Sequence, residues 1–524
     1  MTRCVVLTGF MGAGKTTVGQ ALAKRLGWRF VDTDALITEM AGRPPADLMH
    51  EGESHFRQWE RQAIATLVGQ EDLVVATGGG AVTDDDSRAL LAAMGPVVLL
   101  DAPLDVLWNR VGGDAARPLA HDRERFAARH AVRRLLYDRF PLAYETHRAS
   151  PAEVAAEIAT DLTTDSACVP VALGDRAYEV AVAPGALAGL ARKMPPGPGA
   201  CLVVSDDGVP AWHVEVALAS LRFGGWRPWH EQVPAGEGSK TLAGAQRLYD
   251  ACARAGLGRE SPVVALGGGV VGDLAGFVAA TFMRGVPLVQ VPTTLLAQVD
   301  AAVGGKVALN HPAAKNLIGA FHQPWAVVAD PVALLTLSAR DYRSGLAEVV
   351  KYGVLGAPDL FEALEVRAEG LAERPLPFLT RLVARCCELK AGVVAEDERE
   401  APGGPRAWLN LGHTVGHALE AVAGFGQLTH GEAVAVGMVL EAEVGRRMGL
   451  TEPHLPGRLR TLLRALGLPT EAPPLDHEAL IDAMQLDKKN RGSGPVAALP
   501  RRLGEVQVCR LDDAALRQVL RGAG

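Results

Sequence analysis

Short apolar runs alternate with longer amphipathic stretches over the first 160 residues, at 4–7, 29–31, 73–76 and 97–100. Runs at 201–205, 263–266 and 288–291 repeat this pattern after a polar break at 160–167. Such alternation predicts parallel sheets flanked by helices, whereas alanine- and leucine-rich stretches from about residue 333 predict a mostly helical region. The pattern therefore predicts an α/β chain with units at 1–162, 170–332 and 333–524. A linker at 163–169 is expected between the first two units.

Composition excludes several classes of protein. Apolar residues make up 48% of the chain, which is enough for several cores, and the net charge of -7 argues against a nucleic-acid binder. Seven scattered cysteines without a CxxC pair predict neither a disulfide framework nor a cysteine metal site, and favour the cytoplasm. No stretch approaches the ~18 apolar residues of a membrane span, so no membrane partner is expected.

A glycine-rich loop, Gly9-Phe-Met-Gly-Ala-Gly14-Lys15-Thr16, lies between the first apolar run and a helical stretch. The GxxxxGK[ST] pattern in this context predicts a nucleoside triphosphate site, in which backbone N–H groups surround the phosphates. Lys15 is expected to reach the β and γ phosphates, and Thr16 to ligate Mg²⁺. The expected nucleotide contacts are Gly12, Ala13, Gly14, Lys15, Thr16 and Thr17.

Groups suited to binding a small ligand follow this loop. Asp32 and Asp34 end the second predicted strand, and Arg57 supplies a cation in the next helical stretch. A three-glycine turn at 78–80 follows the third strand, and Arg117 precedes an arginine-rich stretch typical of a mobile lid. The carboxyl ends of parallel strands meet at one edge of a sheet, so these groups are predicted to face the phosphates.

Over 1–160 these residues resemble the shikimate kinase family, which implies a P-loop kinase fold and transfer of phosphate from ATP to shikimate with Mg²⁺. The resemblance implies that Asp34 activates the shikimate hydroxyl and that Asp32 assists Thr16 at the metal ion. It implies that Arg57 and Arg139 bind the shikimate carboxylate and that Arg117 reaches over ATP. The implied catalytic residues are Lys15, Asp34 and Arg117, and the implied substrate contacts are Asp34, Arg57, Gly78, Gly79, Gly80 and Arg139.

A second glycine motif, Gly267-Gly-Gly269-Val-Val-Gly272, also lies between a predicted strand and a helix. GxGxxG in this position lets the backbone approach a dinucleotide pyrophosphate, so the middle unit is predicted to be Rossmann-like. An acidic residue is expected about 20 positions later, but residues 289–292 are Val, Gln, Val and Pro. NAD is therefore expected to bind in a variant manner.

Three histidines lie within 18 residues of one another, at His413, His417 and His430, and Glu348 lies upstream of them. Two histidines and a glutamate around an open fourth position form a catalytic zinc site. The helical region is therefore predicted to bind a metal ion and substrate.

Residues 170–510 resemble the 3-dehydroquinate synthase family through PAGEGSK at 234–240, the glycine motif, PTTLLAQVD at 292–300, GHTVGH at 412–417, HGEA at 430–433 and DKK at 487–489. The resemblance implies conversion of 3-deoxy-D-arabino-heptulosonate 7-phosphate to 3-dehydroquinate and phosphate, with NAD⁺, Zn²⁺ or Co²⁺, and a homodimer. It implies a metal site at Glu348, His413 and His430. The implied NAD contacts are Glu237, Lys240, Gly269, Val270, Val271, Gly272, Asp273, Thr293, Thr294, Lys306, Lys315 and Thr336. The implied catalytic residues are Asp300, Lys306, Lys351, Lys390, Arg406, Asn410 and His417, and the other substrate contacts are Arg284, Asn316, and Lys488 or Lys489.

Other functions remain open for each half. The larger half is alternatively a related sugar-phosphate cyclase or a metal-dependent polyol dehydrogenase, although a dehydrogenase expels no phosphate and does not need Lys306, Lys351 and Lys390 together. Either half is alternatively a non-catalytic nucleotide-binding module. The sequence favours a bifunctional enzyme of aromatic amino acid biosynthesis.

Overall fold

The computed structural model describes residues 3–112, 122–163, 165–312, 314–401, 403–424, 427–485 and 495–521. The first unit, residues 3–163, is built around one sheet. Its strands are β1 (Cys4–Thr8), β2 (Arg29–Asp32), β3 (Leu73–Ala76), β4 (Val97–Asp101) and β5 (Leu142–Glu145). Its helices are α1 (Lys15–Leu26), α2 (Thr33–Ala41), α3 (Pro45–His50), α4 (Glu53–Leu67), α5 (Asp85–Met94), α6 (Leu104–Val111), α7 (Arg123–Tyr137) and α8 (Pro151–Thr163).

The first sheet is parallel, with the strand order β2-β3-β1-β4-β5. Every residue of β1 and β3 is buried, as expected for apolar strands that are covered by helices on both faces. Because β1 is the central strand, the loop that follows it leaves the sheet between its neighbours β3 and β4. The loops after β2 and β3 leave at the same edge, which brings the predicted site residues together.

The second unit contains a seven-stranded sheet and an outlying hairpin. Its strands are β6 (Ala167–Val171), β7 (Tyr178–Val182), β8 (Ala200–Asp206), β9 (Arg227–Val233), β10 (Val263–Gly267), β11 (Leu288–Pro292), β12 (Lys306–His311), β13 (Ala314–Phe321) and β14 (Ala326–Ala329), and its helices are α9 (Ala211–Phe223), α10 (Leu242–Arg254) and α11 (Gly269–Thr281). The sheet order is β6-β7-β14-β11-β10-β8-β9, and β12 pairs only with β13. The strands pair in parallel except for the antiparallel edge pair β6–β7.

The third unit is mostly helical. It comprises α12 (Ala339–Gly356), α13 (Pro358–Arg367), α14 (Leu376–Glu396), α15 (His413–Ala423), α16 (His430–Arg447), α17 (Leu455–Ala465), α18 (His477–Gln485), the hairpin β15 (Val496–Arg502) and β16 (Glu505–Arg510), and α19 (Asp513–Arg521). Helix α12 is buried along most of its length, and α16 packs against both α12 and α15. Thr429 starts α16 with a reciprocal capping box to Glu432, which fixes where His430 begins that helix.

The first and second units share one hydrophobic core. Helix α5 packs against α9, and the rings of Phe140 and Trp212 meet edge to face with centroids 4.7 Å apart. Both rings are buried. At Gly185, with a φ of 75°, a Cβ atom would lie 2.7 Å from Pro96 Cγ, so a larger residue would clash with the first unit.

The α/β class and the helical character of the last unit are confirmed. Helix α8 runs to Thr163 and β6 begins at Ala167, so few residues separate the first two units. The β12–β13 and β15–β16 hairpins were not predicted. Within the described ranges, every helix is too short or too polar to cross a lipid bilayer.

Candidate active sites

The loop after β1 wraps the N-terminus of α1. Gly14 precedes this helix with a φ of 91° and offers no side-chain cap, so the first N–H groups of α1 are available to an anion. A Cβ atom on Gly9 would lie 2.2 Å from the carbonyl oxygen of Leu100, which requires glycine there. Lys15 Nζ donates to the carbonyl oxygens of Gly9, at 2.8 Å, and Phe10, at 3.1 Å, and so lies along the loop.

Two aspartates border this loop. Thr16 Oγ1 donates a 2.8 Å hydrogen bond to Asp32 Oδ2, which places the hydroxyl and carboxylate together as a Mg²⁺ site requires. Asp32 Oδ1 accepts from the N–H of Asp34 and thereby caps α2. A Cβ atom on Gly78 would lie 2.8 Å from Asp34 Oδ1, so the glycine turn and this carboxylate approach closely.

One cavity of about 1160 Å³ connects the loop to the acceptor groups. This volume exceeds the usual range for a single small ligand, and it leaves room for a nucleotide beside a small acid. Predicted residues that line the cavity are Gly12, Gly14, Lys15, Thr16, Thr17, Asp32, Asp34, Arg57, Gly78, Gly79 and Gly80. Ala13, which belongs to the loop, is buried. Arg117 lies outside the described residues.

Arginines surround the acceptor end of the cavity, but Arg139 is not among them. Its side chain is half exposed and lies 3.8 Å from Glu215 of the second unit. Arg133 lines the cavity instead and donates a 2.7 Å hydrogen bond to the carbonyl oxygen of Gly79, which also accepts from Tyr137. The structure therefore does not bring Arg139 to this cavity, and its contact with the carboxylate stays a prediction. The sequence offered a signal in helical spacing, because Arg133 and Tyr137 lie four residues apart on α7 and both donate to the carbonyl oxygen of Gly79.

Arg57 also lines this end, and its charge is already balanced. Its guanidinium pairs with Glu60 at 2.5 Å and with Glu53 at 3.2 Å. Glu60 is fully buried. Burial raises the pKa of Glu60 although Arg57 opposes the shift. The sequence did not single out this buried partner.

The second glycine motif opens a helix N-terminus in the second unit. Strand β10 ends at Gly267, and α11 begins at Gly269 without a side-chain cap. A Cβ atom on Gly272 would lie 2.9 Å from Gln290 Oε1. Helix α11 therefore packs so closely against the sheet that a side chain at this position would clash. This uncapped N-terminus, which also includes Val270 and Val271, fits a dinucleotide pyrophosphate.

Polar groups close this end of the sheet. Lys240 Nζ lies 2.5 Å from both Asp273 Oδ2 and Asn316 Oδ1, which ties α11 to the β12–β13 hairpin. Glu237 Oε2 accepts a 2.6 Å hydrogen bond from Asn310 of that hairpin. Thr293 and Thr294 follow β11 at the same edge, and Thr336 is hydrogen-bonded to His213 at 2.9 Å.

Three residues of α12 and α14 surround Asp300. The Tyr352 hydroxyl donates to Asp300 Oδ1 at 2.6 Å, and Lys390 Nζ lies 2.9 Å and Lys351 Nζ 3.7 Å from the same oxygen. Burial alone would raise the pKa of Asp300, but the two lysines hold the pKa well below its usual range. Lys351 Nζ also lies 2.5 Å from Glu348 Oε2, so this cluster continues into the metal ligands.

Glu348, His413 and His430 converge, with their ligand atoms within 4.8 Å of one another. Glu348 Oε1 lies 3.5 Å from His413 Nε2 and 3.2 Å from His430 Nε2. His413 Nδ1 donates to the carbonyl oxygen of Leu411, which leaves Nε2 as the lone-pair nitrogen facing Glu348. Burial would raise the pKa of Glu348, but Lys351 and His413 lower it to about 2. This His₂Glu donor set, in which Glu348 is buried and both histidines are partly buried, fits Zn²⁺ or Co²⁺.

A second carboxylate, Glu420, supports this triad and was missed from the sequence. Its Oε2 lies 3.4 Å from His430 Nδ1, and its Oε1 accepts from Lys315 Nζ at 3.1 Å. Burial lowers the pKa of His430, yet Glu348 and Glu420 together raise it to about 10. Helical spacing offered a signal, since Glu420 follows His413 and His417 on α15. His417 is exposed, with its ring 5.3 Å from that of His413.

The remaining predicted residues of the synthase site make other contacts. Lys306 Nζ pairs with Glu400 at 2.6 Å, and Asn410 Nδ2 lies 3.4 Å from the same carboxylate. Arg406 is buried and donates to the carbonyl oxygen of Gly304 at 2.8 Å. Arg284 is exposed, with a φ of 70°. Lys488 and Lys489 lie outside the described residues.

Comparison with known proteins matches both parts of the chain to enzyme families. The family model for shikimate kinase matches residues 11–163, and those for the N- and C-terminal parts of 3-dehydroquinate synthase match 230–344 and 345–490. The 3-dehydroquinate synthase of Geobacter metallireducens is 47% identical over 346 residues, which span 66% of this chain and 95% of that protein.

Two solved structures resemble the larger part of the chain. ValA, a 2-epi-5-epi-valiolone synthase of Streptomyces hygroscopicus with NAD⁺ and Zn²⁺ bound, is 28% identical with a TM-score of 0.62, covering 67% of this chain and 98% of that one. A 2-deoxy-scyllo-inosose synthase complexed with carbaglucose-6-phosphate, NAD⁺ and Co²⁺ is 28% identical with a TM-score of 0.63, covering 69% and 100%.

Proposed function

This chain belongs to the 3-dehydroquinate synthase family and carries a shikimate kinase domain before it, and we propose that the two sites described above are its two active centres. The protein is a bifunctional enzyme of the shikimate pathway. The first unit forms the kinase half, and the second and third units form the synthase half. The proposed boundaries are 1–162, 170–332 and 333–524.

In the kinase half, the loop and the acceptor groups occupy opposite ends of one cavity. Lys15 and the first N–H groups of α1 bind the phosphates of ATP, while Thr16 and Asp32 hold Mg²⁺. Asp34 holds the shikimate hydroxyl and accepts its proton as the phosphoryl group transfers. Phosphoryl transfer depends mainly on positioning and charge neutralisation, which suits a site rich in backbone N–H groups and cations.

The shikimate carboxylate binds between Arg57 and Arg133 in this proposal. Glu53 and Glu60 already offset the charge of Arg57, whereas Arg133 donates to a neutral carbonyl and forms no ion pair among the described residues. Arg133 therefore supplies most of the positive charge for the carboxylate. The backbone at 78–80 contacts the ring.

In the synthase half, Glu348, His413 and His430 hold the metal ion, and the α11 N-terminus with Lys240 and Asp273 holds NAD. When bound, NAD⁺ accepts and later returns a hydride, and the metal ion acidifies the substrate hydroxyl. Glu420 orients His430 through Nδ1, as carboxylates commonly do for metal-bound histidines.

The proposed substrate contacts form two groups, one around Asp300 and one around Glu400 and Gly304. Lys351 and Lys390 hold the pKa of Asp300 well below its usual range, so this partly buried carboxylate can accept a hydrogen bond from a substrate hydroxyl. A second group of polar residues contacts Glu400 and Gly304, namely Lys306, Asn410 and Arg406. Their charges and donors can bind the phosphate and carboxylate of a sugar-acid phosphate. A polyol dehydrogenase would not need this set of cations.

We also propose that the synthase half forms a homodimer and that the enzyme works in the cytoplasm. Large apolar side chains are exposed around β13, at Met283, Leu317, Phe321 and Trp325, as at protein interfaces. All seven cysteines are free thiols, which fits a reducing compartment. Sedimentation equilibrium would detect the dimer, and a monomer at micromolar concentration would contradict it.

The observation that carries the proposal is the presence of two donor sets on different units: the loop with Asp32 and Asp34, and the His₂Glu triad around the buried Glu348. Both reactions are to be assayed on one preparation and on two variants. Lys15→Ala should abolish only shikimate phosphorylation, and His413→Ala should abolish only phosphate release from the heptulosonate. Loss of both activities in either folded variant would contradict two independent sites.

A further inference from the structure

Arg88, on α5 of the kinase half, donates three hydrogen bonds, and one of them crosses into the synthase half. Its Nη1 donates to the carbonyl oxygen of Val82 at 3.0 Å, and its Nη2 to Asp85 at 2.8 Å. Its Nε donates to Glu215 Oε2 at 2.9 Å. Glu215 lies on α9 of the second unit, so a residue of the synthase half fixes one edge of this guanidinium.

The Val82 carbonyl belongs to the short turn that follows the glycines of the kinase cavity. This turn, Ala81–Thr83, is tied back to the cavity by the Thr83 hydroxyl, which donates to the carbonyl oxygen of Gly80 at 2.7 Å. The same hydroxyl lies 3.4 Å from Arg57 Nη2. Arg88 therefore holds the middle of the turn, and Thr83 joins the turn to Gly80 and Arg57, which line the cavity.

We propose that Glu215 is a positioning residue for the kinase reaction: it orients Arg88, Arg88 fixes the 81–83 turn, and the turn presents Gly80 and Arg57 to shikimate. This inference rests on the proposed assignment of the cavity to shikimate. The synthase half thus completes the substrate site of the kinase half without touching the substrate.

The Arg88–Glu215 contact differs from an ordinary surface ion pair. The Arg88 side chain is 12% exposed and that of Glu215 is 32% exposed, and the planar guanidinium reaches all three acceptors. A second ion pair across the same junction, Arg192–Glu71, is 49% and 48% exposed. Exposed pairs of that kind contribute little, whereas shielded charge-assisted hydrogen bonds fix geometry.

Helix α9 holds Glu215 in place because the helix is buried on several sides. Trp212, His213, Val216 and Ala217 are all buried around it, and Trp212 packs on Phe140 of the kinase half. The packing of α9 therefore holds Glu215 in a fixed position, from which it orients Arg88.

The test compares three substitutions in the full chain. Glu215→Gln keeps the side-chain shape but removes the charge, and we expect the KM for shikimate to rise about three- to tenfold while the KM for ATP and the synthase rate stay unchanged. Arg88→Ala should give a similar or larger rise, and the double variant should match Arg88→Ala alone because Glu215 acts on the turn through Arg88. Glu71→Gln is the matched control and should change nothing.

Three outcomes would overturn the inference. They are an unchanged shikimate KM in Glu215→Gln, additive effects in the double variant, or parallel rises of the KM for shikimate and ATP. If Glu215→Gln folds poorly, Glu215→Asp gives the same reading, since it retains the charge but shortens the reach, and it should raise only the shikimate KM. A wild-type protein that fails to phosphorylate shikimate would instead contradict the proposed function of the cavity.

Discussion

Removal of the Arg133 guanidinium should weaken shikimate binding far more than removal of that of Arg139. Arg133 lines the cavity beside Gly79, and its charge is not offset by a carboxylate in the described part of the chain. Arg139 lies 3.8 Å from Glu215, outside the cavity. Arg133→Ala and Arg139→Ala therefore form a matched pair of variants, because each removes one guanidinium and the two positions are six residues apart.

The expected size follows from the contact that is lost. A hydrogen bond between charged partners contributes about 1.5–3 kcal/mol, and each 1.4 kcal/mol is a factor of about ten. Arg133→Ala should therefore lower kcat/KM for shikimate roughly 10- to 150-fold. Burial lowers the pKa of the Arg133 guanidinium, and because Arg133 is partly buried in the cavity wall, salt should screen this interaction less than at an open surface.

The assay is steady-state phosphorylation of shikimate by ATP, with each substrate varied in turn. We expect the KM for ATP to change less than about threefold in Arg133→Ala, because the phosphate-binding loop is separate from the carboxylate site. Arg139→Ala should stay within about twofold of wild type for both substrates. A large loss in Arg139→Ala with little change in Arg133→Ala would refute the assignment.

Two further outcomes follow from the synthase half. Glu420→Gln should weaken Zn²⁺ binding about 10- to 100-fold, because His430 loses the carboxylate at Nδ1. Competition with a chromogenic chelator measures this affinity. An unchanged affinity would contradict the orienting role of Glu420. Burial lowers the pKa of His213 to about 4, so its neutral form is favoured in the folded state. The unfolded chain then binds more protons between pH 6.5 and 4, and the free energy of unfolding should fall as pH drops through this window, by up to about 3 kcal/mol. His213→Gln should flatten this dependence in urea titrations, and an unchanged slope would contradict the assignment to His213.

The sequence predicted those parts of the fold where apolar runs decide the structure. The strands β1, β3 and β10 are buried and nearly continuous in apolar residues, and their glycine loops follow directly. The β12–β13 hairpin was missed because its residues alternate in exposure and include lysine, asparagine and histidine, which do not form an apolar run. This omission matters, since the hairpin carries Lys306, Lys315 and Asn316.

The site residues were predictable where a motif fixes their spacing, as for Lys15, His413 and His430. Arg139 was selected because it precedes a proline and a tyrosine, although the helix α7 turns Arg133 toward the cavity and ends before Arg139. Glu215 and Arg88 carry no motif at all. Their contact depends on how two units pack, which hydrophobic periodicity within either unit does not encode.

The most direct test of the central claim is to remove the synthase metal from a single preparation and assay both reactions. After treatment with a zinc-selective chelator and verification by elemental analysis, phosphate release from the heptulosonate should be lost, and Zn²⁺ or Co²⁺ should restore it. Shikimate phosphorylation with excess Mg²⁺ should continue at its original rate throughout. Phosphate release that persists in verified zinc- and cobalt-free protein would contradict the account of Glu348, His413 and His430.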